Sequence, residues 1–139
     1  MRRSGIPWPR DARAFAATQN DFTAAQVRDE MVALYDAEIA FNDSQFGLLL
    51  ARLESRGLDQ ETVVIFTSDH GEEFLDHDDY GHGKTLYREL VQVPLVVRFP
   101  YRVAAGTRSS VTAQHIDLLP TIVEMGGGSA PAWAQGRSL

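Results

Sequence analysis

An apolar run that ends abruptly in charged residues is the feature that most constrains how this chain can fold. Thr62 to Thr67 is rich in β-branched and aromatic residues without polar alternation, a pattern typical of a strand buried on both faces of a parallel sheet. Asp69-His70-Gly71-Glu72 follows almost at once. In open α/β sheets, ligands bind beyond the carboxyl ends of the strands. The sequence therefore predicts a site where this strand ends.

Two segments frame the predicted strand. Thr23 followed by Gln26 is a capping-box signature, and apolar residues then recur at helical spacing as far as Gly57. This pattern predicts one amphipathic helix of about 32 residues. Residues 92–100 form a second apolar strand, with prolines near both ends. The roughly 25 residues between the two strands suffice for a parallel crossover, in which residues 85–91 could add a short helix.

Weaker patterns follow the second strand. Val111 to Ala113 is predicted as a short strand. Asp117 is predicted to be the N-cap of a helix that runs to Met125, because aspartate accepts hydrogen bonds from first-turn backbone N–H groups. Pro120 would then lie in its first turn, where proline is tolerated. Glycines from residue 126 onward would end the helix.

Composition narrows the function classes. The 139 residues, 44% of them apolar, fit one small domain. The net charge of −6 and scattered basic residues argue against a nucleic-acid partner. Without cysteine these residues hold no disulfide, thiolate metal site or cysteine nucleophile. No run approaches the roughly 20 apolar residues of a membrane span. Residues 1–22 are predicted to be a loop or arm without an export signal, and compartment and oligomeric state stay open.

Asp69 and His70 are candidate metal ligands. A carboxylate and an imidazole adjacent at a strand end can reach one divalent ion if the backbone turns sharply, which Gly71 permits. A metal site needs four to six ligands, so partners would come from elsewhere. A mixed oxygen and nitrogen pair favours manganese or zinc over calcium. The alternative is structural: Asp69 caps a helix start and His70 is a partly exposed surface residue.

His82 and Lys84 are candidate anion contacts. His82 lies between two glycines and Lys84 follows the second of them. The two residues could bring positive charge and hydrogen-bond donors to a phosphoryl or sulfuryl group. The alternative is a flexible glycine-rich turn with a solvated lysine. His77 could be a further metal ligand or the partner of one, and Glu72 could orient His70.

Several ordered motifs extend beyond the central segment. They are Thr67–Glu72, Gly81–Tyr87, Val93–Leu95, Gln114–Thr121 and Gly136–Leu139. In this order they resemble the sulfatase family of the alkaline-phosphatase superfamily, over nearly everything from about residue 23 to the end. The resemblance implies an α/β fold: a doubly wound, mostly parallel sheet flanked by helices, of which this chain carries a part and lacks the N-terminal half.

The resemblance also implies site roles. Asp69 and His70 match the second pair of ligands to a divalent metal ion, calcium, manganese or zinc. His82 and Lys84 match the residues that contact the anionic group. The family's lysine falls where Gly83 stands, so either Lys84 reaches the anion after a one-residue shift or His82 takes the role.

A nucleophile is missing from these residues. The resemblance implies a formylglycine made in a C/S-x-P-x-R motif, or a threonine or serine in relatives, and no such motif occurs here. Residues 23–139 are therefore predicted to be the C-terminal part of a catalytic domain that hydrolyses sulfuric esters of small molecules or glycans, inactive alone. One alternative is a phosphodiester or phosphonate hydrolase or phospho-group transferase of the same superfamily. Another is a non-catalytic binding or assembly module.

Overall fold

The computed structural model describes residues 23–139, and the predicted N-terminal arm lies outside them. The chain divides after Arg102 into two compact units. The first unit holds helix α1 (Ala24–Ser55), strands β1 (Val64–Thr67), β2 (Glu73–Phe74) and β3 (Tyr80–Gly81), helix α2 (Arg88–Val91) and strand β4 (Leu95–Arg98). The second unit holds helix α3 (His115–Met125). None of the helices in these residues is long and apolar enough to cross a membrane.

Helix α1 confirms the prediction made from its ends. The Gln26 N–H donates to the Thr23 hydroxyl at 3.3 Å, and the Thr23 N–H donates to the Gln26 side chain at 2.9 Å, which completes the capping box. Gly57 adopts a φ of 67°, and Leu58 N–H donates to the carbonyl of Leu53. This left-handed glycine ends the helix because it bears no Cβ to clash. The helix runs unbroken for 32 residues.

Most of α1 is exposed, although its apolar residues recur at helical spacing. Val27 is its one buried residue. The rings of Tyr35 and Phe74 lie 5.2 Å apart, and those of Phe46 and Phe66 lie 5.7 Å apart. These contacts attach α1 to β2 and β1. Many of the other large apolar side chains are open to solvent, among them Leu34, Ile39, Phe41, Leu48 and Leu49.

The prediction of parallel strands is wrong for β1 and β4. They pair antiparallel, with Val64 opposite Arg98 and Thr67 opposite Leu95. A parallel return needs a crossover that carries the chain back along the sheet. The intervening residues instead form the antiparallel β2–β3 ladder and the four-residue helix α2. Strand β4 therefore begins beside the end of β1. The architecture is α/β with two small antiparallel sheets in the described residues.

Burial of β1 and β4 also differs from the prediction. Phe66 is 47% exposed and Val96 is 59% exposed, so neither strand is buried on both faces in this chain. Arg98 fixes the start of β1, because its guanidinium lies 3.5 Å from the Asp59 carboxylate and donates to the carbonyl of Thr62 at 3.5 Å. The strand pair is thus anchored at one end and leaves apolar side chains uncovered.

In the second unit, the prediction of Asp117 as an N-cap is wrong. Gln114 is the cap, and Asp117 lies in the first turn with its carboxylate reaching back to the Gln114 N–H at 2.8 Å. The same carboxylate accepts the Arg137 N–H at 2.9 Å. Asp117 therefore joins the helix start to the C-terminal residues. Pro120 falls inside the helix instead of its first turn, and residues 111–113 form no strand.

The two backbone bonds to Asp117 make a pH-dependent contribution to stability. Hydrogen bonds from the N–H groups of Arg137 and Gln114 hold the pKa of this buried carboxyl below its usual value of 3.8. A depressed folded-state pKa stabilises the fold above the unfolded-state pKa, and that stabilisation is lost as the pH falls through the folded-state pKa. We expect Asp117→Asn to lower the melting temperature at pH 6. The difference from the parent chain should shrink when melting is followed below pH 3.8, and a constant difference would contradict this.

Candidate functional site

A sharp turn after β1 places the candidate metal ligands. The Ser68 hydroxyl donates to the carbonyl of His70 at 2.6 Å, and the Gly71 N–H donates to the carbonyl of Leu90 at 2.8 Å. A Cβ on Gly71 would overlap the backbone carbonyl of Glu89. The glycine is thus required for close approach to α2. The end of β1 and helix α2 are joined through backbone atoms.

Asp69 and His70 place two candidate ligand atoms close together. Asp69 Oδ2 lies 3.8 Å from His70 Nε2. His70 Nδ1 lies 2.7 Å from the carbonyl oxygen of Gly71. A carbonyl only accepts, so Nδ1 carries a hydrogen, and in the neutral ring Nε2 then carries the lone pair. A histidine whose other ring nitrogen donates to a backbone carbonyl is the usual arrangement in metal sites.

Asp69 is ionised and accessible. Its pKa is lowered by its own backbone N–H, by attraction to His70, and by the His70 N–H that donates to Oδ1 at 3.0 Å. The side chains of Asp69 and His70 are 87% and 42% exposed. Both side chains are therefore accessible to further ligands, which a coordination sphere would require.

One divalent ion could reach both atoms of this pair. Metal–ligand bonds of about 2.1 Å to nitrogen and oxygen span the 3.8 Å between Oδ2 and Nε2 at an angle wider than tetrahedral. The donor set is one carboxylate oxygen and one imidazole nitrogen, which suits manganese or zinc. Two ligands are fewer than an ion requires. Among the described residues, the His, Asp and Glu atoms close enough to form a group of three lie elsewhere, in residues Glu73, His77 and Glu89.

His82 packs against His70. Their ring centroids lie 4.0 Å apart with planes inclined by 32°. His82 Nδ1 lies 3.2 and 3.3 Å from the two carboxylate oxygens of Glu72. A carboxylate accepts, so Nδ1 donates and Nε2 is the ring atom left for another group. The prediction that Glu72 orients His70 is wrong, because Glu72 holds His82 instead.

Lys84 makes different contacts. Its ammonium lies 2.7 Å from the carboxylate of Asp79 and 5.6 Å from the ring centre of Tyr80. The hydrogen bond from Lys84 is the main cause that lowers the pKa of Asp79, and the Tyr80 N–H adds to it. His82 therefore packs against His70 of the Asp69–His70 pair, which we call the metal pair. Lys84 forms an ion pair with Asp79 of the same loop.

A second cluster, which we call the loop cluster, consists of Glu73, His77 and Glu89. The Glu73 side chain is 3% exposed, and its carboxylate accepts the His77 N–H at 3.0 Å. His77 Nδ1 lies 2.8 Å from a carboxylate oxygen of Glu89. The His77 ring stacks on Tyr87 at 3.5 Å. Sequence reasoning proposed a role for His77 but missed both glutamates. Alternation along a strand was the available signal, since Glu72 and Glu73 must face opposite sides.

Known proteins are similar to most of this chain. The family model described as Sulfatase matches residues 6–128, which is most of the chain. The chain belongs to the sulfatase family. It is 33% identical to an N-acetylglucosamine-6-O-sulfatase of Bacteroides thetaiotaomicron over 105 residues, which are 76% of this chain and 19% of that protein. It is 34% identical to arylsulfatase K of Xenopus laevis over 118 residues, 85% of this chain and 22% of that protein.

A solved structure supports the fold of this sulfatase segment. A phosphonate monoester hydrolase from Silicibacter pomeroyi superposes with a TM-score of 0.66 at 33% identity, covering 70% of this chain and 19% of that one. The chain thus spans about a fifth of the length of the relatives it matches. The α/β architecture belongs to a family of hydrolases, and the described residues form one portion of it.

Proposed function

We propose that this chain supplies one side of the active site of a metal-dependent sulfuric ester hydrolase. The observation that carries the proposal is the Asp69–His70 pair, with Oδ2 and Nε2 3.8 Å apart and the His70 tautomer set by Gly71. Sulfatase-family membership supports the reaction class. The ion that the pair would hold supplies Lewis-acid stabilisation of charge on the ester oxygens.

The residues of this chain bind and orient the anionic group in this proposal. Asp69 and His70 hold the ion from one side. His82, fixed through Nδ1 by Glu72, in its protonated form donates from Nε2 to a non-bridging oxygen of the sulfate. Lys84, bound to Asp79, adds positive charge to the same loop and stays a second candidate for that contact. Such preoriented groups lower the barrier because they need no reorganisation as charge develops.

The attacking group lies outside this chain in our proposal. The 139 residues contain no cysteine and no C/S-x-P-x-R motif from which a formylglycine could be made. The remaining metal ligands and the nucleophile would come from the rest of a catalytic domain. The N-acetylglucosamine-6-O-sulfatase relative supports a sulfate ester of a sugar or another small molecule as the substrate.

We expect the isolated 139-residue chain to show no metal-dependent turnover, since it holds the metal pair without a nucleophile. The measurement is hydrolysis of an aryl sulfate and a bis-aryl phosphate with calcium, manganese or zinc added. A sulfatase of full length that carries this segment should hydrolyse the aryl sulfate in the same assay. Turnover by the isolated chain at enzyme-like rates, abolished by a chelator, would contradict the proposal.

A phosphodiester or phosphonate ester is the second candidate substrate. It is favoured by the similarity to the phosphonate monoester hydrolase. The ratio of kcat/KM for the aryl sulfate to that for an aryl phosphonate monoester distinguishes the two. A non-catalytic module is the third candidate, and it predicts that loss of Asp69 changes neither metal content nor activity.

A further inference from the structure

The loop cluster lies apart from the metal pair and has no role in the proposed reaction so far. It contains a carboxylate, Glu73, that is almost completely buried beside His77. Burying a charged carboxylate is costly unless it is paired and hydrogen-bonded. A structure that keeps this group buried, three residues from His70, requires a physical reason. Two reasons are open: the cluster binds a metal ion, or it restrains the loop.

The distances favour direct contact within the cluster over a shared metal ion. Two ligands of one ion, each about 2.1 Å from it, lie about 3 Å apart or more. His77 Nδ1 and the Glu89 oxygen are closer, at 2.8 Å, although the contact lacks hydrogen-bond geometry and this oxygen has no other partner among the described residues. One oxygen of Glu73 accepts the His77 N–H at 3.0 Å. The cluster is therefore held together by the backbone hydrogen bond to Glu73 and by the close ionic contact between His77 and Glu89.

Helix α2 contacts the loop of residues 71–77 at two places, through the neighbouring residues Glu89 and Leu90. The carbonyl of Leu90 accepts the Gly71 N–H directly after His70. The side chain of Glu89 lies against His77 Nδ1 in the middle of the loop. Between these points the chain turns back to form the β2–β3 ladder, in which Glu73 pairs with Gly81. That ladder brings His82 beside His70.

The loop needs such a restraint because part of its backbone is strained. Leu75 and Asp78 have φ values of 66° and 63°. Residues other than glycine rarely adopt this left-handed region, and leucine, unlike aspartate, has no polar side chain to form a local hydrogen bond there. Strained residues persist where surrounding contacts over-determine them. His77 lies between these two positions and is held from both sides, by Glu73 and by Glu89.

We propose that Glu89 is a positioning residue, which acts through His77 to keep His82 and the Asp69–His70 pair in register. This inference rests on the proposed function of that pair. Loss of the Glu89 carboxylate releases His77, lets the strained residues relax, and shifts the ladder that carries Glu72 and His82. Metal affinity and the Glu72–His82 hydrogen bond then fall together, although neither group touches Glu89.

The test measures both effects in the 139-residue chain. Mn²⁺ binding is followed by electron paramagnetic resonance of the free ion, and the His82 Nδ1–H by nitrogen-edited NMR, for the parent chain and Glu89→Ala. We expect about tenfold weaker Mn²⁺ binding, the lower end of what loss of an outer-shell partner costs. We also expect loss of the protected His82 Nδ1–H signal. Glu89→Gln keeps the shape of the side chain but not its charge, so it should weaken both as Glu89→Ala does if the contact is ionic.

Two further variants make the result decisive. His77→Phe keeps a ring stacked on Tyr87 but removes Nδ1, so it should weaken Mn²⁺ binding as Glu89→Ala does. Either of the two variants suffices for the test if the other fails to fold. Glu124→Ala, an exposed glutamate of α3, should change nothing. If Asp69→Asn weakens Mn²⁺ binding but the loop-cluster variants do not, the positioning role is overturned and the metal pair stands. If Asp69→Asn has no effect while the loop-cluster variants weaken Mn²⁺ binding, the ion lies on the loop cluster and the positioning role is overturned. The proposed function is tested separately, by Asp69→Asn in a full-length sulfatase.

Discussion

Replacing Asp69 by asparagine in a full-length sulfatase that carries this segment is expected to lower kcat/KM by about 1000-fold. Asparagine keeps the size of the side chain but removes the negative charge and turns one oxygen into an NH₂ group. Metal ions stabilise transition-state charge by several kcal/mol. Each 1.36 kcal/mol lost is about tenfold in rate, so a drop of this size corresponds to most of the metal's contribution.

Metal content and steady-state kinetics check this expectation together. The purified variant should contain less bound metal than the parent, and added Mn²⁺ should restore only part of the activity. Asp78→Asn is the matched control, since Asp78 is exposed in the same loop and asparagine tolerates its left-handed backbone. A variant at Asp69 with unchanged metal content and unchanged kcat/KM would favour the non-catalytic interpretation.

Replacing Gly71 by alanine is expected to be the most destabilising single change in the site. The new Cβ would overlap the backbone carbonyl of Glu89, and backbone atoms cannot move aside as a flexible side chain can. The contact would force the end of β1 away from α2 and break the Gly71–Leu90 hydrogen bond. Overpacking of this kind costs about 3 kcal/mol in free energy of unfolding.

Urea unfolding of the 139-residue chain measures this cost. Gly47→Ala is the matched control, because no atom lies within 4 Å of the position a Cβ would take there and the residue is inside α1. That change should stabilise the chain by about 1 kcal/mol, since alanine favours the helix over glycine. Equal effects of the two substitutions would show that the close approach at Gly71 does not exist.

Local features of this fold could be predicted from the sequence. The capping box at Thr23 and the glycine after α1 are signals carried by a few neighbouring residues, and both ends of the 32-residue helix are confirmed. The same holds for the apolar runs that became β1 and β4. His82 lies beside His70, as expected if His82 and the Asp69–His70 pair serve one site.

Features that depend on the path of the chain could not be predicted. An apolar run has the same composition in a parallel and an antiparallel pair, so it does not reveal strand direction. Nor does the sequence indicate that the side chains of Phe66 and Val96 are exposed. Glu89 is separated from His77 by twelve residues, and only the return of α2 against the loop brings the two together.

The two-residue ladder of β2 and β3 sets a rule for how this segment can change length. Glu72 and Glu73 are neighbours, yet one carboxylate holds His82 and the other binds the backbone of His77. A single inserted or deleted residue before them would exchange the faces of the two glutamates, because side chains alternate along a strand. Length changes in relatives of this segment should therefore fall after Gly83 or within residues 100–114, where neither glutamate is displaced.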